Sequence, residues 1–391
     1  MKKENHLDNL RIRCLFYLFR LFPIKQTKIV FCNYVGKGYG CNPKYIAEEI
    51  IRQKKDWDLV WLTDFPEASF PKEIRIVKYK SIKAVYELAT AKVWVDNQRK
   101  LPHYRKRKSQ LFIETWHGGG GPMKKIGADN PRNFDNKPYA RTSKHMDKIT
   151  NVMISNSTCC TKIYRSAFLY TGEIMECGYP RNDILLGDTS RVRNKIYDYF
   201  QLPSDRKTVL YAPTYRNSRT LDHYKLDMKG LREALAYKFG GIWTVFLRLH
   251  PTMIEKAGDA MYSEYILNAT DYDDMQELLS GSDILISDYS SVISEFALTG
   301  KPILLFATDV YEYAVERDFY VDYFTLPFPI AKDNTELVRN INEFDYEVYQ
   351  KDVAEYLKSV GMADQGYASK RVVKYIEDRM YHRNSCKEEI R

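Results

Sequence analysis

The chain has 391 residues, 44% of them hydrophobic and 14% aromatic, with 60 Lys and Arg against 51 Asp and Glu. That is enough apolar surface for substantial cores and too much chain for one ordinary compact domain, so two domains are expected. Seven cysteines with no C-x-x-C pair and no His-Cys cluster at zinc-finger spacing argue against a disulfide framework and a zinc site, and fit a reducing cytosolic compartment.

Charge is unevenly distributed. Residues 1–205 carry 37 Lys and Arg against 21 Asp and Glu, a net +16, while residues 206–391 carry 23 against 30, a net −7, which together make +9. A positive field on the first half attracts anionic membrane, nucleic acid or polyphosphate.

In chain order, the first feature is LRIRCLFYLFRLFPIK, residues 10–25. It falls short of the ~20 apolar residues of a spanning helix, because Arg11, Arg13 and Arg20 interrupt it. No small-residue cleavage site follows, as a signal peptide requires. Two readings stay open: a basic amphipathic segment lying among lipid headgroups, or a first helix packed on its own domain. The three arginines do not share one clean helical face.

Short β-branched runs then alternate with amphipathic stretches. Strands are predicted at 28–32, 59–62, 74–79, 92–97, 111–116 and 152–155, with a helix at 43–55 that begins with Asn42 as cap and Pro43 in the first turn. After the helical 190–200 the pattern restarts, with strands at 208–213, 243–250, 283–287 and 302–306 and helices at 273–281 and 291–300 closed by glycine. This alternation predicts an α/β chain of two Rossmann-like, doubly wound domains facing across a cleft at the carboxyl ends of their strands. The expected division is residues 1–25 as a membrane-associating segment, 26–205 as an acceptor domain and 206–391 as a nucleotide-donor domain, with Pro203 in the linker.

Several motifs fall at predicted strand ends. ETWHGGGGPMKKIGAD, residues 114–129, places His117 beyond a strand, where an imidazole with an ordinary pKa of ~6.5 is largely neutral and can act as a general base. Gly118, Gly119 and the glycines after them let backbone approach a ligand closely, and Lys124 and Lys125 add phosphate-binding charge. The plainer alternative is a glycine-rich surface turn. Neither a Walker loop nor a G-x-G-x-x-G dinucleotide loop is present. RKLPHYRKRK, residues 99–108, reads as a mobile basic loop, with an anionic acceptor or lipid headgroups as partners.

In FLRLHP, residues 246–251, Arg248 and His250 alternate along a strand and point the same way toward a diphosphate; a structural histidine is the alternative. YAPTYR, residues 211–216, sets Thr214 and Arg216 beyond another strand. SDYSSVISEF, residues 287–296, puts Ser290 and Ser291 at a helix start, as a phosphate cradle or as ordinary N-capping, with Glu295 one turn later to accept from a ribose diol. No carboxylate cluster has clear metal-ligand spacing, so neither a tightly bound metal nor a cofactor is expected.

In order over roughly residues 95–330, the segments ETWHG and KKIG, GYPRND, LYAPTYR, LRLHP and SDYSSVISEFALTGKPILLF resemble the CDP-glycerol glycerophosphotransferase family, the teichoic acid primases and polymerases. The resemblance implies a GT-B architecture and monotopic attachment to the cytoplasmic face of the cell membrane. It also implies transfer of an alditol phosphate from CDP-glycerol, or a related CDP-alditol, to a hydroxyl of a polyprenol-linked acceptor, with release of CMP. On that resemblance His117 and His250 match the essential histidines. Arg248, Ser290 and Ser291 match CMP and phosphate contacts, and Glu295 the ribose contact. Teichoic acid or a teichoic-acid-like capsule is the implied product, and nucleic acid is not an expected partner. Two other readings stand beside this one: a GT-B glycosyltransferase using a nucleotide sugar, and a nonenzymatic protein that binds membrane or nucleic acid.

Overall fold

The computed structural model describes residues 6–66, 69–118, 124–133, 135–214, 216, 225–249 and 262–381. The chain divides into two compact units that are discontinuous in sequence. One comprises Met1–His117, Gly127–Asp183 and Ala363–Arg391; the other comprises Gly118–Ile126 and Ile184–Met362. The main passage between them therefore falls at Asp183/Ile184, whereas the sequence suggested Pro203.

In the first unit, α1 (His6–Leu18) precedes β1 (Lys25–Cys32), α2 (Cys41–Arg52), β2 (Asp58–Thr63), β3 (Ile74–Lys78), α3 (Ile82–Thr90), β4 (Ala91–Asp96) and β5 (Leu111–Glu114). Then come α4 (Lys137–Ile149), β6 (Val152–Ser155), α5 (Thr158–Ala167) and β7 (Glu173–Glu176). The sheet order is β3-β2-β1-β4-β5-β6-β7, and every pairing is parallel.

Both faces of this sheet are covered, which is why its strands read as unbroken apolar runs. Alternate residues go to opposite sides. Ile29, Phe31, Val93 and Ile113 pack with Ile46 and Ile50 of α2 and with Val372 and Ile376 near the chain's end. Val30, Cys32, Trp94 and Phe112 pack with Phe16 of α1, Leu88 of α3 and Met146 of α4.

The second unit contains α6 (Asp183–Leu186), whose first residue belongs to the first unit, then α7 (Ser190–Phe200), β8 (Lys207–Tyr211), α8 (Met228–Phe239), β9 (Trp243–Leu247) and β10 (Ile266–Asn268). It continues with α9 (Met275–Gly281), β11 (Ile284–Ser287), α10 (Val292–Phe296), β12 (Ile303–Phe306), α11 (Val310–Arg317), β13 (Ile330–Ala331), α12 (Asn334–Asn342) and α13 (Tyr346–Ser359). The parallel sheet runs β10-β9-β8-β11-β12-β13. The last helix, α14 (Ala368–Met380), returns to the first unit, where Asp183 accepts the Ala368 and Ser369 N–H groups at its start, both at 2.8 Å.

Three local expectations are corrected. α2 starts at Cys41 with Gly40 as its cap, and Asn42 is fully buried within the helix. The segment 291–300 forms only five α-helical residues, continues as a 3-10 turn over Ala297–Thr299, and stops at Gly300 with φ +67°. Three short strands, β7, β10 and β13, carry too few β-branched residues to have stood out.

Candidate functional site

In both sheets the strand order reverses at one place, between β1 and β4 in the first unit and between β8 and β11 in the second. Loops leaving the carboxyl ends of strands at such a reversal are where open α/β sheets bind ligands.

In the first unit, β5 ends at Glu114 because Trp116 adopts φ +52°, a left-handed conformation that cannot continue a strand. The next residue, His117, sets its ring 5.2 Å from that of Tyr34, which follows β1, and 4.1 Å from that of Trp116. Its Nδ1 lies 2.6 Å from the backbone oxygen of Asn97, which follows β4. A carbonyl only accepts, so Nδ1 carries the hydrogen and Nε2 keeps its lone pair. Burial pushes the His117 pKa down to about 4; the nearby Arg181 charge acts in the same direction, and the bond to Asn97 opposes both. The ring is neutral and oriented by a main-chain carbonyl.

The supports of that ring were not visible in the motifs. Asn97 is fully buried; its side chain donates to Asn33 Oδ1 at 2.7 Å and accepts from the Tyr34 N–H at 2.8 Å. Asn42 donates to the carbonyls of Thr115 and Trp116, each at 3.1 Å, and accepts from the Arg181 N–H at 3.1 Å. The Arg181 guanidinium donates to the His117 carbonyl at 2.8 Å. Thus GYPRND, residues 178–183, buttresses the loop after β5. Gly178, at φ +91°, lets the backbone pass the Asp364 side chain, where a Cβ would meet Oδ1 at 2.9 Å. Glu114 accepts from the Trp116 N–H at 3.0 Å; burial, with Asp96 adding to it, holds its carboxyl well above the usual range.

In the second unit, Thr214 follows β8 and its N–H donates to Asp288 Oδ1 at 2.8 Å, joining the two loops at the reversal. Ser290 and Ser291 follow β11, half-buried, and Ser291 caps α10 without a side-chain bond. The remaining predicted residues are held by partners. Arg216 is 5% exposed and donates to Asp288 at 2.8 Å and to Asp309 at 2.6 Å and 2.9 Å. Burial lowers its pKa, but hydrogen bonds and charge from Asp309 and Asp288 outweigh that and keep it charged.

Glu295 is 1% exposed and accepts from the Gln276 side chain. β9 ends at Leu247, so Arg248 lies past the strand and donates to the carbonyls of Ala269 and Tyr272 at 2.7 and 2.6 Å. Lys125 pairs with Asp318 at 2.6 Å, and Lys124 forms a single antiparallel bridge with Phe319. Gly118 is half-buried and grouped with the second unit. Gly119 and His250 lie outside the described residues. Among the described residues no group of three or more His, Cys, Asp and Glu side chains is placed to hold a metal ion.

Two doubly wound units, each gathering polar groups where its strand order reverses, give the chain an α/β architecture of the GT-B class. Residues 14–378 match the CDP-glycerol:poly(glycerophosphate) glycerophosphotransferase family, and the chain belongs to it. It is 30% identical to a teichoic acid poly(glycerol phosphate) polymerase of Bacillus spizizenii, over 92% of this chain and 94% of that protein. It is 31% identical to a teichoic acid ribitol-phosphate primase of the same organism, over 75% of this chain and 76% of the relative. It spans about half, 51%, of the length of a Bacillus subtilis poly(glycerol phosphate) polymerase. Among solved structures, a histidine-to-asparagine variant of the wall teichoic acid polymerase TagF soaked with CDPG superposes with a TM-score of 0.85, at 28% identity, over 96% of this chain and 94% of that one. Family membership sets aside the reading as a nonenzymatic scaffold.

Proposed function

We propose that this enzyme transfers an alditol phosphate, glycerol phosphate in the first instance, from its CDP-linked donor to a hydroxyl of a lipid-linked acceptor, releasing CMP, in the synthesis of teichoic acid or a related capsule polymer. The observation that carries the reading is the His117 imidazole, neutral through burial and fixed by the Asn97 carbonyl with Nε2 as its basic nitrogen. Nε2 takes the proton of the acceptor hydroxyl as that oxygen attacks the alditol-bearing phosphorus. The bond from phosphorus to the CMP oxygen breaks, and the electron pair leaves with CMP. Thr214, Ser290 and Ser291, with Arg248 and His250, form the donor-binding set and receive the growing charge of the leaving group, the kind of stabilisation in which one donor contributes ~3 kcal/mol. Arg216 acts here as a positioning residue, holding the loops that carry Thr214 and Ser290.

No helix among the described residues is long and apolar enough to cross a membrane. α1 buries Phe16 in the first unit's core while Leu10, Leu18 and the following Leu21 are 55, 53 and 81% exposed. That exposed stripe, flanked by arginines, supports seating on the anionic cytoplasmic face of the membrane.

The test is nucleotide release by purified protein given a polyprenol-linked acceptor and, in separate reactions, CDP-glycerol, CDP-ribitol and a panel of UDP- and GDP-sugars. CMP from a CDP-alditol is expected, and His117→Ala should remove turnover while CMP binding persists. Release of UDP or GDP in place of CMP would establish a glycosyltransferase instead.

A further inference from the structure

The first unit contains a cavity of about 900 Å³ that the transfer reaction proposed above does not use. It is lined by α1, by the basic loop 102–108 and by α4. From α1 come Arg13 and Tyr17, four residues apart and so on one helical side, and the 3-10 turn Phe19–Leu21 that follows adds Arg20. From α4 come Arg141, Lys144 and Lys148, likewise on one side, and the loop supplies Arg105 to Lys108. Nine lysine and arginine side chains thus line one concavity, and no carboxylate does so among the described residues.

Two of the loop's cations are held by neutral groups. Arg107 donates to the carbonyls of Phe19 and Phe22 at 2.8 and 2.9 Å, and Lys106 to that of Gln110 at 2.8 Å. Carbonyl oxygens fix direction without cancelling charge, so the repulsion remains. Burial lowers the Arg107 pKa and Arg20 lowers it further; burial, then Arg105, His103 and Lys148, bring His145 at the wall down to about 4.

We propose that this trough binds a phosphodiester polyanion, several linked phosphates at a time. Charge sets the sign of the ligand, and concavity sets its form. A single phosphate, at about −2, leaves most of nine positive charges unanswered. A flat array of lipid headgroups does not enter a concave volume, whereas the exposed Leu10, Leu18 and Leu21 are apolar groups suited to a bilayer. A flexible chain of phosphates can enter the trough and lie along both helical walls, releasing counterions at each contact. That the chain is a polymer of alditol phosphates rests on the function proposed above; the affinity for linked phosphates does not.

The test uses the full-length protein and a soluble glycerol phosphate oligomer of about six units, titrated by calorimetry at low and raised salt. Inorganic phosphate and vesicles of one part phosphatidylglycerol to two parts phosphatidylcholine are the comparison arms. The oligomer should bind with strong salt dependence and far more tightly than inorganic phosphate. Lys144→Gln/Lys148→Gln and, separately, Arg13→Gln should each weaken it about tenfold or more while leaving CMP release to a short acceptor unchanged, which also reports that the variants fold. A smaller loss in both variants, or binding to vesicles without binding to the oligomer, overturns the proposal. Absence of CMP release from every CDP-alditol would instead overturn the function proposed above and leave oligomer binding as a separate result.

Discussion

At the residue scale, the chemistry of His117 is set by what surrounds its ring. WHG marked the histidine, but Asn97 supports it through a main-chain carbonyl, which every residue type possesses and no motif records. Arg181 was legible as part of GYPRND, yet its bond to the His117 carbonyl required folding across 64 positions. Because the folded pKa, about 4, lies below the ordinary ~6.5, the native state binds fewer protons than the unfolded chain. His117 therefore contributes stability that is fully present above pH ~6.5 and is lost as the pH falls from there to about 4. The same shift moves the acid limb of kcat/KM for CMP release well below the ordinary histidine range. A limb centred near 6.5 in the pH profile would show that the ring is solvated in the working enzyme.

At the element scale, the loops after β8 and β11 are joined by a buried ion network. Arg216 spans Asp288 and Asp309, and Tyr289 donates to Asp309 at 2.9 Å. Removing the cation leaves two carboxylates buried without their counter-charge, so Arg216→Ala should destabilise the protein by about 3–5 kcal/mol. Urea unfolding checks this directly: the midpoint should fall with little change in slope, and an unchanged midpoint would mean the network contributes no stability. YAPTYR was noticed because it ended a strand with Arg216 beyond it; three dimensions turned that guanidinium to two aspartates. α10 shows a related limit. Its five residues provide little helix dipole, so what Ser290 and Ser291 offer a phosphate is their hydroxyls and nearby N–H groups.

At the scale of the whole molecule, the chain leaves the first unit at Asp183 and re-enters it at Ala363 to place α14 on that unit's sheet. Val372, Val373 and Ile376 are fully buried there against β1, β4 and β5. A chain truncated after Met362 should therefore lose slow hydrogen exchange throughout β1 to β6 while β8, β9, β11 and β12 stay protected. Retained protection in β1 to β6 would show that α14 is dispensable.

Amino-acid order alone determined the alternation of strands and helices, the two-unit class and the placing of His117, Thr214 and the Ser290–Ser291 pair beyond strand ends. These follow from local periodicity and from runs of apolar residues that only a doubly covered parallel sheet can bury. Tertiary structure decided which polar groups were committed to partners within the protein. Arg216 and Glu295 found buried partners far along the chain, His117 acquired its tautomer from Asn97, and α14 joined a sheet formed nearly two hundred residues earlier. Burial is a property of the assembled chain, and burial shifts a pKa or commits a guanidinium to a carboxylate; neighbours in sequence do not settle it.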